Sequence, residues 1–470
     1  MDALTQAYEA WNNMATFRRR RQRYKNFTYG RQWDDIVQDP DTGRRTTERE
    51  LLSRYGRPPL TNNLIRQLIK SVIGRFRQSR NDSEDPDSSP EIKETRERLR
   101  GIHRAHQLDE ADSRLLEEFL ISGVAVQRVG NASEERREEL VANVNPNRFF
   151  IGAVSDPRCR DIEIIGMLHD YLPEEAVIRW GGRKRRSAID MLEKMRNLTS
   201  GYSSGFQKDD EFYYGRKGHI RVIEIWRKEA IEYFLVHDPE EGTLRLTEAS
   251  RERELNAENR RRRQESRKPL NLSWRLEQRW TGRWFLPDGT LLESRVEEEH
   301  PFVVRLYPLI DGEIHSLVED VIDQQKYVNR LVNLLDRMMA SAAKGALLYP
   351  VDALPEGCDF NDILRQWSST EGVVLYKSCP GDAAPKQLST SVGDIGAKDL
   401  LKVEMELFKE ISGVGDTLSP RTLGSGVGAE RYAMELKTAS LSIRDIIDTF
   451  VSMLDLRDLR LLKLKNSQLK

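Results

Sequence analysis

The sequence predicts an α+β protein, and three observations carry that reading. Leu60, Leu64, Ile65, Leu68, Ile69, Val72, Ile73 and Phe76 repeat as i, i+4, i+5, i+8, the signature of an amphipathic helix. From Val124 the pattern changes to short apolar or alternating runs: GVAVQRV, ELVANV, IEIIGMLHDY, HIRVIEIW and EYFLVH. In the C-terminal third, Ser316–Ala343 returns to a helical stripe of Val318, Val321, Ile322, Val328, Leu331, Val332, Leu335, Met338 and Met339.

Residues 1–29 read as helical and end basic, with Arg18, Arg19, Arg20, Arg21, Arg23 and Lys25 interleaved by Phe17, Tyr24, Phe27 and Tyr29. Basic residues among aromatics resemble a nucleic-acid contact. Four consecutive arginines nevertheless cover every side of a helix, which fits a solvated face with aromatics pinned to a core. Pro58 and Pro59 stop any earlier helix, and Thr61 or Asn62 is placed to cap the helix expected over Leu60–Phe76. Ser79–Pro90 is a polar turn or linker, and Glu91–Ser122 reads as one long helix ended by Gly123.

Among the strands, Asn145–Pro157 forms a turn-rich loop, and Pro173–Trp180 and Ala188–Leu198 read as helices. The expected sheet is mainly antiparallel. Thr247–Lys268 is almost wholly charged. It suits an exposed helix laced with charge pairs or a disordered loop, and a contact to nucleic acid or an acidic partner competes with a simple solvated excursion.

The helix at Ser316–Ala343 carries Asp320, Asp323, Gln324, Asn329, Arg330, Asn333, Asp336 and Arg337 on its opposite face. Lys344–Gly393 contains GALLYP, GVVLYK and a short helix near Asp359–Trp367, broken up by Pro350, Pro355, Pro380 and Pro385. Asp394–Ser412 is a second amphipathic helix, with Leu400, Leu401, Met405, Phe408 and Ile411 facing one way and Lys398, Lys402, Glu406 and Lys409 another. Gly413–Gly428 holds five glycines; no strand precedes them and no Lys-Ser or Lys-Thr follows, so a mobile loop fits better than a phosphate cradle. Glu430–Leu464 closes as one or two helices, with Ile443, Ile446, Ile447, Phe450, Met453 and Leu454 on one side.

At 470 residues the chain needs two or more subdomains. Charged residues make up 32% and hydrophobic ones 38%, a polar composition suited to an extended subunit that hides apolar faces against neighbours. Lys plus Arg number 75 and Asp plus Glu 76, without the basic excess of a tight duplex binder. Cys159, Cys358 and Cys379 have no metal-ligand spacing and read as free thiols of a reducing compartment, although Cys358 and Cys379 could meet within one small subdomain. No run of 18 apolar residues and no signal-peptide core occur, so assembly in the cytoplasm without a membrane span is expected. The seven histidines are scattered, and neither His-Glu-x-x-His nor Gly-x-Ser-x-Gly is present; no catalytic residue, cofactor or metal is expected.

Five segments together bear a resemblance. TFRRRRQRYKNFTYGRQW (Thr16–Trp33), RPPLTNNLIRQLIKSVIGRFRQSRND (Arg57–Asp82), FLISGVAVQRVG (Phe119–Gly130), SLVEDVIDQQKYVNRL (Ser316–Leu331) and ISGVGDTLSPRTLGSGVGAERYAMEL (Ile411–Leu436) follow an order that resembles the portal proteins (head–tail connectors) of tailed bacteriophages, most of all those of short-tailed phages. The order carries the likeness rather than any one segment. The resemblance implies a wing over 1–315, a first stem helix over 316–345, a clip over 346–393, a second stem helix over 394–412, a channel loop over 413–428 and helices of a crown over 429–470. It implies a non-enzymatic ring of twelve copies at the capsid vertex of the virion, assembled in the host cytoplasm. Its partners would be double-stranded DNA, the terminase large subunit, a head-completion or adaptor protein, and the major capsid and scaffolding proteins. Lys398, Lys402, Lys409, Arg421, Thr422 and Ser425 would face the DNA; Asp359, Asp362, Arg365 and Lys377 would face terminase or adaptor.

Geometry agrees with a channel. Twelve helices of roughly 10 Å diameter side by side give a circumference of about 120 Å and a bore of about 28 Å, enough for a B-form duplex. A lumen with few fixed cations would hold phosphates weakly. The rival readings are another virion protein (a capsid or tail adaptor), a metal-dependent DNA-processing enzyme, and a regulatory nucleic-acid binder built around Arg18–Lys25.

Overall fold

The computed structural model describes residues 2–54, 58–81, 90–130, 140–182, 184–201, 211–344, 346–348, 386–388, 396–412 and 441–468. The fold is α+β. The chain opens with α1 (Ala3–Asn13) and α2 (Ala15–Thr28), a small hairpin of β1 (Ile36–Gln38) and β2 (Arg45–Thr47), and α3 (Glu48–Arg54). Three helices follow: α4 (Leu64–Asn81), α5 (Pro90–Ala105) and α6 (Leu108–Ser122). Then come β3 (Val124–Val129), β4 (Val141–Asn143), β5 (Phe149–Ile151), β6 (Ile164–Tyr171), α7 (Pro173–Trp180) and α8 (Arg185–Gly201). Next are β7 (Ile220–Asp238), β8 (Thr243–Glu248), α9 (Glu252–Gln264), β9 (Asn271–Phe285), β10 (Leu291–Glu297), β11 (Phe302–Leu306), β12 (Leu309–Ile310) and β13 (Glu313–Ile314). The C-terminal third holds α10 (Leu317–Lys344), β14 (Ala346–Leu348), β15 (Lys386–Leu388), α11 (Ala397–Ser412) and α12 (Leu441–Gln468).

Two compact units divide the chain: Met1–Lys25 with Gln67–Glu319 and Leu423–Lys470, and Asn26–Arg66 with Asp320–Thr422. In the first, an antiparallel sheet runs β10-β9-β7-β6-β5, and β8 joins it by pairing with β7. Helix α1 buries Ala3, Ala7, Ala10 and Trp11, one helical face of small residues that lets it lie close on β5, β6 and β7. Gly166 on β6 is dictated by the same closeness, since a Cβ there would stand 2.2 Å from the Glu224 carbonyl and from the Phe150 ring.

HIRVIEIW and EYFLVH, expected as separate strands, form one strand, β7. Strand β9 pairs with it from Ile223↔Phe285 to His237↔Asn271, so the polar residues between the two runs are carried in a continuous ribbon. The charged stretch 247–268 also departs from a purely solvated excursion. Helix α9 buries Leu255 beside Val236 and Leu270, and Arg262 donates to Asp238 at 2.6 Å with both side chains nearly sealed from solvent.

A second sheet, β11-β3-β4, is covered by α6 and α12. Phe450 of α12 meets Phe76 and Phe119 at ring separations of 5.4 and 5.7 Å. Arg457 pairs with Asp112, both fully buried, and Gln127 donates to Asp112 at 3.2 Å. The single helix expected over Glu91–Ser122 is two, because Gln107 turns to φ +50 between them. In a straight helix Ile102 would lie about a third of a turn from the Leu108, Leu115 and Phe119 stripe; the break lets both be buried. Gly123 ends α6 as expected, at φ +73, where a Cβ would stand 1.8 Å from the His315 carbonyl.

The arginine-rich start is solvated on one side, where Arg19, Arg23 and Lys25 are exposed, and it pins Tyr24 and Phe27 inside; its other arginines are engaged within the fold. Arg21 is buried and makes a fork of two 2.6 Å hydrogen bonds to Glu118, Arg18 lies 3.5 Å over the Trp11 ring, and Arg20 reaches Glu313 at 3.2 Å. These contacts hold Arg18, Arg20 and Arg21 within the first unit.

Candidate functional site

The second unit is organised by α10. Val321, Ile322, Val328 and Leu331 are buried along it, as the helical stripe requires. Its polar face is not the open surface the sequence suggests. Gln325, Asn329 and Asn333 recur every fourth residue, so their amides stand in one row. They grip the segment 60–64 by its backbone. Gln325 accepts from the Leu64 N–H at 2.9 Å and donates to the Asn62 carbonyl; Asn329 accepts from the Asn62 N–H at 2.9 Å; Asn333 accepts from the Leu60 N–H at 2.8 Å and donates to its carbonyl at 3.1 Å. Asn329 also donates to Gln32, which donates in turn to the Phe27 carbonyl at 2.9 Å.

This ladder corrects the start of α4. The periodic residues begin at Leu60, but residues 60–63 are non-helical, their backbone held by α10, and the helix starts at Leu64. Its cap is Asn63, not Thr61 or Asn62: the Asn63 carboxamide oxygen accepts from the Arg66 N–H at 3.0 Å. The Gly-x-Gln-Trp segment also has a structural role here. Gly30 takes φ +85, Gln32 feeds the ladder, and the Trp33 indole donates to the Leu60 carbonyl at 3.2 Å and the Thr61 hydroxyl at 3.1 Å. Lys326 with Asp35 and Arg330 with Glu48 (3.2 Å) complete the attachment.

Strands β14 and β15 pair antiparallel, Ala346 opposite Leu388, so the end of α10 and the approach to α11 are brought side by side. Helix α11 differs from α10 in what it buries. Phe408 is sealed at 5% exposure and Leu401 is half-buried, whereas Leu400, Val403, Leu407 and Ile411 are each 38 to 48% exposed. The expected single stripe of Leu400, Leu401, Met405, Phe408 and Ile411 therefore separates into an inward edge at Leu401 and Phe408, an outward seam at 400/403/407/411, and Met405, which is 38% exposed although its spacing puts it beside Leu401 and Phe408. Val403 and Leu407 were not picked out from the sequence, yet the three-and-four spacing of that seam is legible there.

Lys402 and Lys409 stand on one side of α11, opposite the seam; the side chain of Lys398 lies outside what the structure describes. Lys402 is exposed and pairs with Asp399 at 3.3 Å, both side chains in solvent, so the pair adds little stability. Arg421, Thr422 and Ser425, the rest of the glycine-rich loop, and Asp359, Asp362, Arg365 and Lys377 lie outside the described residues, as do Cys358 and Cys379.

In the first unit Glu224 is a fully buried carboxylate. Burial pushes its pKa up, but Arg128 at 3.5 Å, His169 at 2.7 Å and the Trp226 indole at 2.8 Å overcome this and hold it at about 2. Surrounded by donors, it acts as a fixed internal charge. Cys159 is buried, and burial pushes its thiol up to about 12, which leaves it unreactive. Among the described residues, no group of three or more His, Cys, Asp or Glu is placed to hold a metal, and no helix is long and apolar enough to cross a membrane.

The model of the phage P22-like portal protein family matches residues 1–429. The chain belongs to that family. It is thus a portal protein, the head–tail connector of a tailed bacteriophage that serves DNA packaging, and the family is a structural one. No curated protein matches the chain. The matched region contains the whole Gln325–Asn329–Asn333 ladder and α11, and it ends before α12.

Proposed function

We propose that this portal protein assembles into a ring, twelve-fold as the family resemblance implies, at the vertex of the capsid, and that the ring is the conduit through which double-stranded DNA enters and leaves. Within it, 1–315 is the wing, α10 the first stem helix, 346–393 the clip, α11 the second stem helix, 413–428 the channel loop and 429–470 the crown region. Lys398, Lys402 and Lys409, with Arg421, Thr422 and Ser425, face the DNA. Asp359, Asp362, Arg365 and Lys377 face the terminase large subunit and later a head-completion adaptor. The major capsid and scaffolding proteins meet the ring during assembly in the host.

One observation supports this reading most: α11 presents an exposed apolar seam at Leu400, Val403, Leu407 and Ile411 with Lys402 and Lys409 on its opposite side. An unburied seam of that spacing is what one helix offers to a copy of itself or a neighbour. Burying four such side chains per contact, at about 25 cal/mol per Å², would supply several kcal/mol for each subunit added. Native mass measurement with negative-stain imaging tests the proposal: a closed ring is expected, and a monomer at every concentration would overturn it.

A further inference from the structure

We propose that the cleft formed by β11, the 157–162 loop and α12 is a binding site for a multiply charged phosphate compound. The cleft has a volume of about 590 Å³, within the range of small-molecule sites. Five cations line it: Arg158, Arg160, Lys228, Arg305 and Arg460. The carboxylates that line it are Glu299 and Asp455, which leaves a surplus of positive charge.

Arg305 makes the case specific. It projects from β11 and is only 6% exposed. One guanidinium nitrogen donates to the Ser452 hydroxyl at 3.0 Å, while its Nε has no partner, and it forms no ion pair among the described residues. A guanidinium does not shed its proton in a protein, so an unpaired one inside the fold leaves a charge that an anion would neutralise. Its neighbours add to the demand. Arg460 spends its Nη1 on the carbonyls of His300 and Phe302 at 3.0 and 2.8 Å, and its one carboxylate neighbour, Glu299 at 3.0 Å, is itself half in solvent. Lys228 donates only to the Arg160 carbonyl, at 3.3 Å. His300 is held at about 3 by burial and by Arg460 and Lys228, so it stays neutral and the surplus rests on the arginines and lysine.

The cations come from four separate places: the loop, β7, β11 and α12. A carboxylate offers two oxygens in one plane and suits a single guanidinium fork. A phosphate offers oxygens in several directions with more than one charge, which is what converging donors from different elements require. The source is either a free polyphosphate or the backbone of a nucleic-acid strand across the mouth of the cleft; the chemistry is shared. This inference stands apart from the channel reading, because it uses no residue of α10 or α11.

Calorimetric titration of the full chain with tripolyphosphate in low salt tests it, alongside a 5′-phosphorylated single-stranded oligonucleotide and a glutamate-rich peptide. Tripolyphosphate is expected to bind and to raise the thermal midpoint. Arg305→Met is expected to weaken binding by about tenfold or more, since a charge-assisted hydrogen bond is lost. Without ligand, the same variant should keep or raise the midpoint, because it removes an unpaired buried charge. Should Arg305→Met fail to fold, Arg158→Ala with Arg160→Ala, both on the exposed loop, carries the same expectation for affinity. Displacement of tripolyphosphate by the oligonucleotide identifies a strand as the source, and binding without displacement identifies a free polyphosphate. No binding of tripolyphosphate, equal binding by the variants, or equal affinity for the acidic peptide would overturn the proposal.

Discussion

Helices α10 and α11 are built from the same kind of sequence and meet opposite fates. Both carry an apolar stripe and a polar face. In α10 the stripe is buried from Val318 to Leu331 and the amides hold residues 60–64, while further along Leu334 and Met339 are 49 and 70% exposed. In α11 only Leu401 and Phe408 are covered, and five apolar side chains, Leu400, Val403, Met405, Leu407 and Ile411, remain exposed. Amphipathicity measures how much a helix has to bury, not where the burial occurs. A helix whose polar face finds backbone partners becomes a fixed strut; one left half-covered is available to another subunit.

The sharpest way to break the comparison is at Gln325. Replacement by Leu removes the hydrogen bonds to the Leu64 N–H and the Asn62 carbonyl at a half-buried place and leaves these two groups only their 3.2 Å bond to each other, with an expected loss of about 1–2 kcal/mol in denaturant unfolding. A loss below about 0.5 kcal/mol would mean that α10 is held by its apolar stripe alone.

Acid offers a second test, because the ladder consists of amides and has no proton to gain. Glu224 does. Its folded pKa of about 2 lies below the ordinary value of 4.5, so its stabilisation is complete above pH 4.5 and is lost as pH falls toward about 2. The fluorescence of Trp226 and Trp284, which lie beside it, should report loosening over that range, and Glu224→Gln should flatten the acid limb. An unchanged limb in the variant would remove Glu224 from the account.

On α11 the expected pattern is inverted. Val403→Ser with Leu407→Ser should change the unfolding free energy of the isolated chain by no more than about 0.5 kcal/mol each, yet abolish ring formation by native mass measurement. Loss of stability with assembly intact would place the seam inside the fold instead. The smallest effect is expected at the lysine row. Changing Lys398, Lys402 and Lys409 to Ala should leave stability and assembly unchanged, and should lower the salt dependence of duplex binding by the ring by about one phosphate contact per lysine engaged. An unaltered salt slope would take the row out of the lumen.

Periodicity alone determined much of this protein. It located the two long helices near 316–343 and 394–412, the strands from Val124, Gly123 as a helix end and an antiparallel sheet, because the alternation of apolar and polar residues is set by which face is dry. The five ordered segments also pointed to the portal family. Periodicity did not show that Leu60 lies outside its helix, since Leu60 keeps the spacing and it is the amides of α10 that hold the backbone of residues 60–63 in a non-helical path. It did not separate Leu401 and Phe408 from Leu400, Val403, Leu407 and Ile411, because the arc that is covered depends on what stands beside the helix. Nor did it reveal that Arg18 and Arg21 are spent on Trp11 and Glu118, or that Arg305 is buried with no ion pair among the described residues. Each of these rests on partners distant in the sequence, and the pairing of polar groups across such distances is decided by the tertiary structure, where an unmet donor or charge costs most.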